Sequence, residues 1–240
     1  GYTVTQRFDS PSSREAIYGL GQHQSEEFNY KGRSEELYQY NTKVSVPFVL
    51  STGGYGILWD SYSYCRFGNP TASLPLSEAF TLYDVNGVSG RLTGTYTAAD
   101  GRTLVRNEEN ISFDHLKRDD LSHVEGLQTE IPLKGAVVTY DGMLESDEDG
   151  DFDFILYNSG YVRVWIDSVE VVPERWRTAW NPNSYKFSYK FVKGRRSSLR
   201  IQWKPDGDVA YCSLRAFRPV APETRAEMCW WGEMQQEIDY

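Results

Sequence analysis

Apolar and polar residues alternate with a period of two along most of this chain. The strongest run is Gly150-Asp151-Phe152-Asp153-Phe154-Ile155-Leu156-Tyr157-Asn158-Ser159-Gly160-Tyr161-Val162-Arg163-Val164-Trp165-Ile166-Asp167. Phe152, Phe154 and Leu156 share one parity, and beyond Asn158-Ser159-Gly160 so do Val162, Val164 and Ile166. This spacing, rich in aromatic and β-branched residues around a Gly-containing turn, predicts a β-hairpin at the heart of a β-sandwich. Shorter segments of the same kind fall at 44–51 and 55–60 before it, and at 185–192, 198–203 and 209–217 after it. Residues 135–142 read as a strand and turn, and Pro47 favours an edge or strand-entry position for its segment. No stretch up to residue 125 carries a helical period. The expected fold class is all-β, with two antiparallel β-sandwich domains, the second inserted into the first.

Composition narrows the function more than the fold. Aromatics make up 15% of the chain, with 17 Tyr and 7 Trp, which suits an all-β protein or one that stacks rings on sugars. The formal net charge of -9 argues against a nucleic-acid partner, which demands a basic face. No apolar run approaches the roughly 18 residues of a membrane span. The chain opens on Gly1-Tyr2-Thr3-Val4-Thr5, which alternates like a strand and not like a signal peptide. Three Cys (Cys65, Cys212, Cys229) cannot all pair with one another and lack metal-ligand spacing, so they read as small buried hydrophobes. His23, His115 and His123 are scattered, and neither metal nor thiol chemistry is expected.

Three constellations carry candidate chemistry. Gly19 and Gly21 allow a tight turn or close backbone approach, but the third glycine and following helix of a phosphate loop are missing. Asp147, Asp149 and Asp151 alternate as calcium ligands do. Gly150 precedes the third acid, however, and the twelfth loop position is Asn158, so a solvated turn is expected. The aromatics Tyr161, Trp165, Trp176, Trp180 and Trp203 could pack their faces on the C–H bonds of pyranose rings. Trp165 and Trp203 lie in alternating strands and are expected in the core. Trp176 and Trp180 stand four residues apart in a basic segment before Asn181-Pro182, read as a loop, where function concentrates. With Tyr161 they are the candidate substrate-binding residues. No G-x-S-x-G elbow and no parallel βα repeat occurs, so no catalytic residue is assigned. A free-standing carbohydrate-binding or adhesin module accounts for these features, as does a structural spacer.

A family resemblance adds to this reading. Tyr18-Gly19-Leu20-Gly21-Gln22, Val46-Pro47-Phe48-Val49-Leu50-Ser51 and Gly54-Tyr55-Gly56-Ile57-Leu58-Trp59-Asp60-Ser61 are similar, in order and spacing, to the N-terminal β-sandwich of glycoside hydrolase family 31. Cys229-Trp230-Trp231-Gly232-Glu233-Met234-Gln235-Gln236-Glu237-Ile238-Asp239-Tyr240 resembles that family's entry into its catalytic barrel. Between them, residues 150–154, 164–167, Trp176 and 201–207 resemble the anthrax protective-antigen-type (PA-14) module, a β-sandwich often inserted in glycosidases and adhesins. The resemblance implies a family β-sandwich at 1–125, an inserted module at 126–217, and at 218–240 a return to the first sandwich and lead-in to the barrel. It implies an α-xylosidase, because within the family such an insertion marks α-xylosidases that trim xyloglucan. Retaining hydrolysis runs through two carboxylates about 5 Å apart, which the family carries on its barrel and which nothing here matches. The chain is therefore expected to be non-catalytic, shaping the site and recognising a plant-type, xyloglucan-like oligosaccharide beside the catalytic barrel of the same polypeptide. Only Asn41 of Asn41-Thr42-Lys43 matches the family's Asn-Arg-Asp, and it joins the substrate-binding candidates. The resemblance implies no cofactor and a secreted or periplasmic bacterial setting.

Overall fold

The computed structural model describes residues 2–8, 14–23, 27–39, 43–61, 63–68, 72–115, 131–132, 134–179, 184–207, 210–219 and 227–232. The chain divides into two compact units, Gly1–Ala72 with Val220–Tyr240, and Ser73–Pro219. The first unit holds β1 (Tyr2–Arg7), β2 (Ile17–Gln22), β3 (Glu35–Leu37), β4 (Val44–Ser51), β5 (Tyr55–Leu58) and β6 (Cys65–Phe67). The second holds β7 (Leu74–Pro75), the single-turn α1 (Leu76–Ala79), β8 (Thr81–Tyr83), β9 (Leu92–Thr97), β10 (Thr103–Glu108), β11 (Ser112–His115) and β12 (Val137–Glu145). It continues with β13 (Gly150–Asn158), β14 (Gly160–Ile166), β15 (Val169–Arg177), β16 (Ser184–Phe191), β17 (Arg196–Lys204) and β18 (Ala210–Phe217), after which β19 (Glu227–Gly232) rejoins the first unit. Among the described residues every strand pair is antiparallel.

In the first unit a four-stranded sheet, β1-β19-β6-β3, accompanies a three-stranded one, β2-β4-β5. Of the tight turn and the close backbone approach that Gly19 and Gly21 allow, the close approach is present. Both glycines have positive φ, and a Cβ on either would stand 2.4 Å from the Phe48 carbonyl oxygen or 2.1 Å from that of Val44. Between them Leu20, at φ 63, drops into a core with Ile17, Leu37, Val49 and Phe67. Pro47 is not at an edge: β4 runs between β2 and β5. It is tolerated there because the register of β2 on β4 shifts between Gly19 and Gly21, opposite Pro47, so the missing N–H breaks no regular ladder. Its carbonyl still accepts the Trp59 N–H at 2.8 Å.

The second unit packs a seven-stranded sheet, β10-β9-β12-β17-β14-β15 with β8 also on β12, against a five-stranded one, β11-β18-β13-β16 with β7 on β18. The parity read from the sequence holds, since Phe152, Phe154, Leu156, Val162, Val164 and Ile166 all enter one core with Trp203, Leu199, Ile201 and Phe191. Phe80 is wedged among Phe152, Phe154 and Phe191, its ring 4.6, 5.9 and 4.8 Å from theirs.

The expected hairpin is not a hairpin. β13 pairs with β16 and β18, whereas β14 pairs with β15 and β17, so the chain crosses from one sheet to the other at Ser159. Asn158 and Ser159 are fully buried there. Ser159 exchanges bonds with Tyr211, N–H to carbonyl at 3.0 Å and Oγ from Tyr211 N–H at 3.1 Å, and its carbonyl accepts the Trp203 indole N–H at 2.6 Å. Gly160 has φ 73, and a Cβ would stand 2.3 Å from the Lys204 carbonyl oxygen.

Two further expectations are corrected by strand pairing. The second unit begins at Ser73, not at residue 126, because β8 and β9 lie in the same sheet as β12. No turn forms at Asp141-Gly142, because β12 continues to Glu145, and Gly142 is the residue that lets the Tyr83 carbonyl approach within 2.3 Å of where a Cβ would sit.

Gly160 and Gly87 both have positive φ, but nothing lies within 4 Å of a Cβ built on Gly87. Urea denaturation followed by tryptophan fluorescence should therefore separate them. Gly87→Ala should cost about 1–2 kcal/mol from backbone strain alone, and Gly160→Ala more than about 3 kcal/mol.

Candidate functional site

The core-facing residues of β12, β14 and β17 leave the opposite parity on the outer face of the seven-stranded sheet. Register orders that face into rows. One row holds Lys204, Tyr161 and Trp176; the next holds Thr139, Gln202 and Arg163; the third holds Asp141, Arg200, Trp165 and Glu170. Tyr161 and Trp176, both sequence candidates, are thus direct cross-strand neighbours, 41% and 51% exposed. The Trp176 indole N–H donates to Asp206 Oδ2, which holds the ring in one orientation.

The structure redistributes the other candidates. Trp176 belongs to strand β15 and not to a loop. Trp203 is core, as expected, at 0% exposure. Trp165, expected in the core, lies on the outer face and is only partly buried, because it shares parity with Tyr161 and Arg163. The Arg163 guanidinium sits 4.8 Å from its ring centroid. Asn41 and Trp180 lie outside the described residues.

The cations of this face are matched one by one with carboxylates. Arg163 meets Glu170 at 2.7 Å, Arg200 meets Asp141 at 2.7 Å and Lys204 meets Glu174 at 3.5 Å. The glutamate beside Arg163 raises the pKa of that guanidinium further. Beside the Tyr161–Trp176 pair runs a groove of about 760 Å³ lined by Thr139, Asp141, Arg163, Trp165, Arg200 and Gln202 among others. Sequence reasoning missed Asp141, Arg163, Arg200 and Gln202, although their parity opposite the core residues marked them as outward.

Asp147 and Asp149 are engaged in the β12–β13 turn: Asp147 bonds Arg218 at 2.7 Å, and Asp149 accepts the Lys193 N–H at 2.9 Å. Arg218 holds the Asp147 carboxyl below the usual carboxylate range. Among the described residues no three His, Cys, Asp or Glu gather as metal ligands. Cys65 and Cys212 are buried, and burial pushes the Cys212 thiol well up, as fits packing rather than reactivity. In the first unit, Lys43 is a buried cation that meets Glu35 Oε1 at 3.2 Å and donates to the Glu36 carbonyl at 2.5 Å. Glu35 also faces His23, with 3.5 Å between Oε1 and Nδ1.

No family model matches the chain. An α-xylosidase of Saccharolobus solfataricus is 46% identical over 71 residues, 26% of this chain and 10% of that protein. A family 31 glucosidase of Pseudescherichia vulneris, itself uncharacterized, is 47% identical over 60 residues, 25% of this chain and 11% of that protein. The crystal structure of a family 31 α-xylosidase from Xanthomonas citri matches with a TM-score of 0.83 at 32% identity, over 96% of this chain and 25% of that one. The chain thus corresponds to a quarter of that enzyme's length. With both units inside that alignment, the chain as a whole is similar to part of a glycoside hydrolase family 31 α-xylosidase.

Proposed function

We propose that this chain is the non-catalytic recognition portion of a retaining α-xylosidase acting on xyloglucan-type oligosaccharides. The observation that carries the reading is the match to the Xanthomonas citri α-xylosidase across nearly the whole chain, both units included. Hydrolysis in the intact enzyme runs through two carboxylates of a barrel, a fold that needs parallel strands, whereas the strand pairs described here are all antiparallel. The chain's part is to bind saccharide away from the reacting bond, with Tyr161 and Trp176 as a stacking platform. Trp180 and, separately, Asn41 of the first unit are further candidate saccharide contacts. Binding energy gained at such a distance favours long substrates.

The first unit supports a place beside a further domain of the same polypeptide. Along β4, Val44, Val46, Phe48 and Leu50 are all exposed, and Leu58 stands opposite Phe48 on β5, also exposed. A contiguous apolar stripe of this kind marks a surface that another protein element covers. We assign the catalytic barrel to it. We place such an enzyme in a secreted or periplasmic setting.

Two measurements test the reading. The 240-residue chain should release no p-nitrophenol from p-nitrophenyl α-xyloside, and measurable turnover would overturn the non-catalytic assignment. Calorimetric titration with xyloglucan heptasaccharide should show saturable binding that Trp176→Ala abolishes and that a maltooligosaccharide does not reproduce. Equal binding of both sugars would overturn the xyloglucan assignment.

A further inference from the structure

The outer face of the seven-stranded sheet continues past the Tyr161–Trp176 pair. We infer that the groove beyond it, lined from Arg163 and Gln202 past Trp165 to Met143 and Ser198, is a saccharide subsite of its own, which a neutral pyranose oligosaccharide stacked on Tyr161 and Trp176 enters along β14. This deepens the carbohydrate reading above and rests on it.

Three observations fix the ligand class. First, the rings are spaced for a chain and not for a single sugar. Tyr161 and Trp165 are four residues apart on one strand face, a span of about 13 Å at roughly 3.3 Å per residue, and Trp176 flanks Tyr161 across the ladder. Second, the row between the two aromatic rows is polar and uncharged in sum. Thr139 and Gln202 face each other there, with Arg163 beside them already neutralised by Glu170 at 2.7 Å. Third, the Arg200–Asp141 pair, also at 2.7 Å, sets a guanidinium donor beside a carboxylate acceptor next to Trp165. Adjacent hydroxyls of a pyranose can accept from the first and donate to the second at once, while the indole covers the apolar ring face.

Charge excludes the alternatives. An anionic ligand such as a phosphate or a uronate would have to displace Asp141 and Glu170 from their arginines, on a chain of net charge -9. A purely apolar ligand would strip water from Gln202, Thr139 and two ion pairs without replacing their hydrogen bonds. The groove, about 760 Å³, falls within the range of ligand clefts, roughly 300–1,000 Å³.

The test follows indole N–H resonances of the ¹⁵N-labelled 240-residue chain. Xyloglucan heptasaccharide, cellotetraose and tetragalacturonate are titrated in turn. The heptasaccharide should shift the Trp165 and Trp176 signals along one saturation curve and leave buried Trp203 unmoved. Gln202→Ala, which disturbs no core contact, and Trp165→Ala should each raise the Kd about 3- to 10-fold. If Trp176 alone responds and Gln202→Ala leaves the Kd unchanged, the groove is overturned while the carbohydrate reading stands. Should cellotetraose shift Trp165 where the heptasaccharide does not, the groove stands and the xyloglucan assignment falls. Tighter binding of tetragalacturonate overturns the claim of neutrality, and no response to any sugar overturns both readings.

Discussion

The indole of Trp203 donates its N–H to the Ser159 carbonyl across 2.6 Å, in a place no water reaches. A chain that crosses from one sheet of a sandwich to the other must take peptide groups through the interior, where each unsatisfied one costs about 1–3 kcal/mol. Trp203, the reciprocal Ser159–Tyr211 bonds and the Asn158 amide, which donates to the Gly160 carbonyl at 3.1 Å, supply the partners at this crossing. Gly160 provides the positive φ and the absent Cβ that let β17 come close. Because β13 and β14 leave the corner in phase, Phe152, Phe154 and Leu156 on one sheet meet Val162, Val164 and Ile166 of the other in a single core. The outer face is then set by default: whatever is not core on β14 and β17 points to solvent in register.

The same corner shows where sequence reading stops. Alternation reports which residues face inward and says nothing about which strand lies alongside. A Gly-containing turn between two alternating segments serves a hairpin or a sheet crossing equally well. The difference is that a hairpin turn sits in water, whereas Asn158 and Ser159 are buried. The unit boundary was hidden for a related reason, since β8 and β9 alternate like their neighbours and only their pairing with β12 assigns them to the second unit. Glycine was more informative where it stood between apolar residues. For Gly19 and Gly21 the sequence allowed a tight turn or a close approach, of which the structure shows the close approach, while the role of Gly142 inside a strand looked like a turn.

For the candidate face, the information was present in the chain and was only partly used. Trp165 shares parity with Tyr161 and Arg163, so its outward position follows from the same alternation that placed Val162 and Val164 inside. Trp176 was harder to place in a strand. The register of β15 slips opposite Val162–Trp165, which breaks the alternation between Val172 and Trp176. The partners that give the face its character, Asp141 and Arg200, are separated by 59 residues and could not be joined without the ladder between β12 and β17.

Two treatments of charge distinguish the two units. In the first, Lys43 and Glu35 are both buried and paired, and removing one charge of such a buried pair is a strongly destabilising change. That pair is structural. On the outer face of the second unit, Arg163, Arg200 and Lys204 are paired with carboxylates in reach of water, where such bridges contribute little to folding. A surface needs only dispersed charge to remain soluble, so folding does not account for cations matched one by one along rows that also hold Tyr161, Trp165 and Trp176. Matching does account for a surface that offers donors and acceptors in equal measure to an uncharged, polyhydroxylated partner, and that repels neither the partner nor the acidic chain it belongs to.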